Sequence, residues 1–209
     1  MVSGAMRTIA RPATVDVTVT KSRFIARAER VDTEAAARGH IAAARKRHPG
    51  ARHHCGAFVV GARGEVSRSS DDGEPSGTAG APILAAVHAA GLTDVAVVVA
   101  RYFGGVKLGT GGLARAYGAA ASAAIAAAGV VELRRLDVVE VRGDYAACGG
   151  LEAQIRGTGG RVTSVDYGQM VCVVVACDDA AAFTAWVAQA TSGRAATRHT
   201  GTTVIDVPV

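Results

Sequence analysis

The 209-residue chain contains no asparagine, three lysines, one tryptophan and four cysteines, and only 4% of its residues are aromatic. Each scarcity excludes something. Cys55, Cys148, Cys172 and Cys177 include no C-x-x-C pair, which argues against a structural zinc site or a disulfide framework and predicts reduced thiols, mostly in the core. No run approaches the ~18 uninterrupted apolar residues of a spanning helix. No apolar signal block follows the first charges, so the expectation is a cytoplasmic protein with no membrane partner. What is present is core material: 49% of the residues are hydrophobic, enough to bury a core without staples.

The net charge of +5 is uneven, with eleven Lys/Arg against four Asp/Glu in residues 1–60, six against six in 61–134 and six against eight in 135–209. Twenty of the 23 basic residues are arginine, whose planar fork suits phosphate, although a general preference for Arg, Ala, Gly and Val accounts for the number equally well. Their concentration at the front of the chain says more than their abundance.

Residues 1–13 read as a flexible lead-in. The alternation of TVDVTVTKSRFIARAERV reads as a strand, and Asp32 or Thr33 caps a helix that stops at His48-Pro49-Gly50. HHCGAFVVGA and EVSRSS read as a hairpin, DDGEPSGTAGAP as a loop into the helix ILAAVHAAG, DVAVVVARYF as a buried strand, GGVKLGTGG as a loop, and LARAYGAAASAAIAAAG as a helix ended by Gly129. From residue 135 the pattern is β-α-β-β-α-β, that of a ferredoxin-like split βαβ. The expectation is an α+β protein with domains at 14–134 and 135–209. Phe183 and Trp186 in the second domain read as core, and no site is assigned there.

Two segments carry chemistry. RYFGGVKLGTGGLARAY, residues 101–117, ends a strand in Arg101 and opens a helix through Gly109-Thr110-Gly111-Gly112, with Lys107 and Arg115 alongside. Unpaired amides at a helix start and nearby cations are the design of an anion site. Neither a P-loop nor a dinucleotide fingerprint is present. Phe103, after a buried strand, is expected in the core, and only an exposed ring here would stack on a base. The second segment groups Asp71, Asp72 and Glu74 with Ser70, Ser76 and Thr78. Such carboxylates hold Mg²⁺ or serve as acid and base, but the same residue types make ordinary turns and caps. His48, His53, His54 and Cys55 lack a second ligand pair, so no metal is expected on them, and no cofactor is implied.

KSRFIA (21–26), RHHCGAFVVG (52–61), SDDGEPSGTAGAPIL (70–84) and VVVARYFGGVKLGTGGLARAYGAAA (97–121), in this order, resemble the YigZ/Impact family. The resemblance implies a first domain with the ribosomal protein S5 domain 2-like fold and a second similar to the end domains of elongation factor G. It further implies a role in translation, since eukaryotic relatives bind a ribosome-associated activator of a stress kinase. A proline dipeptidase label carried by some bacterial members finds no metal-ligand set here. Two readings follow. In one, a non-catalytic protein engages RNA or a ribosome-associated protein, with Arg23, Arg101, Lys107 and Arg115 on phosphates. In the other, an enzyme or small-ligand binder uses the glycine loop for phosphate and Asp71, Asp72 and Glu74 for Mg²⁺ or acid/base work.

Overall fold

The alternation in residues 13–30 makes a hairpin rather than one long strand. β2 (Ala13–Val19) and β3 (Ser22–Arg30) pair antiparallel, and Thr20 and Lys21 between them both take positive φ, 46° and 66°. Positive φ at both central residues is what a tight two-residue hairpin turn requires, and glycine or asparagine usually supplies it. The computed structural model describes residues 6–209. Residues 1–5 of the expected lead-in lie outside them, while Met6–Ile9, expected as part of it, form strand β1. Thr8 and Ile9 are buried, and burial of that apolar anchor orders the segment.

The chain divides into two units, one running up to Leu133 and including Asp206–Val209, the other Arg134–Ile205. In the first, α1 (Glu34–Arg47), β4 (His53–Val60), β5 (Val66–Ser70), α2 (Gly80–Ala89), β6 (Val95–Tyr102) and α3 (Gly109–Ala128) follow the hairpin. The sheet order is β2-β3-β6-β4-β5, and every pairing is antiparallel. β1 lies outside this sheet, against the opening residues Val130–Leu133 of β7 (Val130–Gly143).

Helices cover both faces of the five-stranded sheet. α1 packs on one side through Ala37, with Val31, Phe58, Val60 and Ala96 beneath it; α2 and α3 cover Phe24, Cys55, Ala57, Val97 and Val99 on the other. That double burial explains why β6 is apolar through six successive residues, Val95–Ala100, without alternation. α1 starts where Thr33 Oγ1 accepts the Ala36 amide at 3.2 Å and carries Arg45, Lys46 and Arg47 in its last turn, matching its dipole. α3 buries Leu113, Ala116, Tyr117, Ala120, Ala121, Ala124, Ile125 and Ala128, a stripe at three- and four-residue spacing, and ends at Gly129 with φ 67°.

The second unit contains the rest of β7, α4 (Tyr145–Cys148), α5 (Leu151–Gly157), β8 (Arg161–Tyr167), β9 (Val171–Cys177), α6 (Ala180–Ala190) and most of β10 (Ala196–Pro208). Its strand order is β10-β7-β9-β8. The first helix of the expected β-α-β-β-α-β order is broken into α4 and α5, because Gly150 takes φ 79°. Phe183 is buried and stacks on the half-buried Trp186, ring centroids 5.8 Å apart.

Candidate anion-binding cleft

The site begins where β6 ends. Gly104 donates its amide to Ser22 Oγ at 3.2 Å, and a Cβ there would fall 2.0 Å from the carbonyl of Lys21. Only glycine lets the chain pass so close to the hairpin turn. Gly105 and Gly109 take φ 85° and 69°, and the chain then enters α3. Gly109-Thr110-Gly111-Gly112, expected as loop, form the first turn of that helix. Leu108 at its cap offers no side-chain acceptor and the first turn has no acidic residue, so the leading N–H groups lack a capping side chain. Gly109, Thr110 and Gly111 are exposed and Gly112 half-buried. The Arg115 guanidinium lies back over this turn, its Nη1 3.4 Å from where a Gly111 Cβ would stand.

Arg101 is not available to a phosphate in the way the sequence suggested. It is 7% exposed, its Nη1 donates to Glu74 Oε1 at 2.8 Å, and its guanidinium lies between the rings of Phe24 (5.6 Å) and Phe103 (5.5 Å). The same carboxylate oxygen accepts the hydroxyl of the fully buried Tyr117 at 2.7 Å. Glu74 thus pairs the buried charge, although Arg101 Nε is buried without a hydrogen-bond partner among the described residues. The Cys55 thiol lies 2.9 Å from the Asp71 carbonyl oxygen and 3.4 Å from Tyr117 Oη. Burial pushes that thiol up to about 12 and pushes the Tyr117 phenol up as well, so both stay protonated. Arg23 is also engaged, its Nε donating to Asp16 Oδ2 at 2.7 Å. Lys107 is exposed with no ion pair among the described residues.

The side chains of the acidic loop bond within the fold. Asp71 accepts the amides of Gly77, Ala79 and Gly80 at 2.8, 2.9 and 2.8 Å and so caps α2; burial raises its carboxyl, but these donors outweigh that and hold it below its ordinary value. Asp72 accepts the His54 amide at 2.7 Å and pairs with Arg45, while Glu74 belongs to Arg101 and Tyr117. Ser70 Oγ accepts the Asp72 amide and Thr78 Oγ1 donates to the Pro75 carbonyl; Ser76 is exposed in the turn. Among the described residues no three His, Cys, Asp or Glu side chains are grouped to hold a metal. Each of the three carboxylates thus makes bonds within the fold, Glu74 through Oε1 alone.

The two segments do meet. A cleft of about 400 Å³ opens between them, with Glu74 and Pro75 on one side, Lys107 and Thr110 at the start of α3 on the other, and Arg52, Arg101 and Phe103 at its wall. Phe103, expected in the core, is 49% exposed. Arg52 and Tyr117 were not among the expected site residues. Tyr117 is four positions after Leu113, hence on the same helical face, a spacing that marks it as buried but not as the holder of Glu74. Nothing local marks Arg52. The cleft combines cations, unpaired amides and one exposed ring, which suits an anionic ligand with an aromatic part.

Residues 20–125 match the Impact N-terminal domain, and residues 141–194 match a domain of unknown function (DUF1949). An IMPACT family member of Bacillus subtilis, YvyE, is 38% identical over 181 residues, covering 86% of this chain and 83% of that protein. Another from Escherichia coli, YigZ, is 38% identical over 169 residues, 80% of this chain and 83% of its own. A crystal structure of a hypothetical protein superposes with a TM-score of 0.63 at 36% identity, covering 92% of this chain and 96% of its own. No helix among the described residues is long and apolar enough to cross a membrane. With both relatives aligned along most of their length and the first domain matched from the hairpin to α3, the chain belongs to the IMPACT family.

Proposed function

We propose that this chain is a non-catalytic binding protein of the translation apparatus that engages RNA through the cleft at the start of α3. The observation that carries the reading is the uncapped first turn of α3 facing a cleft walled by Lys107 and Arg52. Backbone amides and the positive helix end hold a phosphate oxygen; the two cations neutralise neighbouring phosphates; the exposed ring of Phe103 stacks on a base. Lys46 and Arg47 at the end of α1 are exposed as well and add to the positive charge of the chain's first third, while Arg45 beside them pairs with Asp72.

The family resemblance implies a first domain like ribosomal protein S5 domain 2 and a second like the end domains of elongation factor G, and the translation setting is taken from that implication. The β10-β7-β9-β8 order of the second unit supports its ferredoxin-like reading. The commitment of Asp71, Asp72 and Glu74 to structural bonds favours binding over metal-assisted chemistry.

Fluorescence anisotropy with a labelled single-stranded RNA, titrated between about 50 and 200 mM salt, tests the reading, because affinity that depends on phosphate contacts falls steeply over that range. The expected result is salt-sensitive binding weakened by Lys107→Glu or Arg52→Glu. Absence of binding at the lowest salt overturns it.

A further inference from the structure

We infer that the base held in this cleft is guanine, read by Glu74. The inference rests on the RNA-binding reading above and adds the identity of the nucleobase. Glu74 is an unusual wall for an anion site: its side chain is 3% exposed, yet it lines the cleft. Both of its bonds, from Arg101 Nη1 and from Tyr117 Oη, go to Oε1. Oε2 accepts no hydrogen bond from the described residues, and on a side chain that lines the cleft it is the oxygen left for a ligand's donors. A pure phosphate would be repelled by that oxygen. A ligand that brings hydrogen-bond donors to it while its phosphate lies at the cations satisfies both halves of the cleft.

Among the nucleobases, guanine alone presents two adjacent donors, N1–H and the N2 amino group, on its Watson–Crick edge. Adenine and cytosine each offer one amino group beside a ring-nitrogen acceptor, and uracil offers one N–H between two carbonyls that a carboxylate repels. Phe103 supplies the platform. The Arg101 guanidinium occupies one face of its ring at 5.5 Å, and the 49% exposure leaves the opposite face for a base. Arg101 and Tyr117 act as positioning residues, fixing Oε1 so that Oε2 is the oxygen turned to the ligand.

The test varies the RNA, so that folding of a variant is not at issue. Anisotropy is measured for the full chain with decauridylate and with the same strand carrying one central guanosine or inosine, the latter lacking the N2 amino group. The guanosine strand is expected to bind about tenfold more tightly than decauridylate, with inosine between them. Phe103→Ala, a change at an exposed ring, is expected to erase the preference. Equal, salt-sensitive affinity for all strands overturns the guanine assignment and leaves RNA binding standing; no binding of any strand at low salt removes both.

Discussion

Replacing Tyr117 by phenylalanine isolates one bond in the buried network. The ring stays, so its edge-on packing against Phe24, centroids 5.1 Å apart and planes at 88°, is kept and no cavity opens. What is lost is the hydroxyl that donates to Glu74 Oε1 at 2.7 Å. The residue is fully buried, so water does not replace the donor, and the acceptor is a carboxylate that keeps only Arg101. A hydrogen bond to a charged group contributes about 1.5–3 kcal/mol, and that is the expected destabilisation. The sole tryptophan, Trp186, lies in the second unit, so its fluorescence reports the wrong part of the chain. Native-state hydrogen exchange of the β6 amides is the suitable assay, with the most protected ones expected to exchange about ten- to a hundredfold faster. If the protection of β6 changes less than about twofold, the network does not hold the core together and the account of Glu74 given above is wrong.

Other consequences follow from the same contacts. Gly104→Ala drives a methyl into the Lys21 carbonyl and is expected to cost about 3 kcal/mol or more, whereas Gly39→Ala, in the exposed interior of α1 with open space around it, is expected to stabilise by about 0.5–1 kcal/mol; thermal melts of both variants check the contrast. Asp71→Ala removes the acceptor of three amides at the start of α2 and is expected to cost about 1–2 kcal/mol at neutral pH. Because the folded carboxyl sits below its ordinary 3.8, the stability it adds is present above that pH and lost as pH falls through the folded value, so the variant's deficit narrows in acid-titrated unfolding curves. Cys55, pushed up to about 12 from 9.0, adds stability that is complete below pH 9 and lost as pH climbs towards 12; Cys55→Ala is expected to show a shallower alkaline decline, and iodoacetamide at pH 8 is expected to leave this thiol unmodified until the chain unfolds.

Much of the first unit could be read from local signals. Thr33 capping α1, the unbroken apolar run of β6 and the glycine after α3 each express their physics within a few residues. The turn at Thr20-Lys21 does not, because neither residue favours the left-handed backbone it adopts; the two strands flanking it impose that conformation. The break at Gly150 depends on one left-handed residue inside a stretch otherwise patterned as a single helix. In the cleft, the sequence located the uncapped helix start and both converging segments. It did not reveal that Arg101 is spent on Glu74, 27 residues earlier, since that pairing exists only once β6 and the α2 loop are side by side. Nor did it expose Phe103, because the strand it follows stops one residue sooner, at Tyr102.

The fully buried alanines of α3, at 120, 121, 124 and 128, bring its backbone against the sheet with little more than methyl groups between them. A seat that thin has no slack: a bulkier residue at any of these places must lift or slide the whole rod, and its far end, where Thr110 sits, would swing with it. Sequence drift in the middle of this helix is thus constrained by a pocket it never touches.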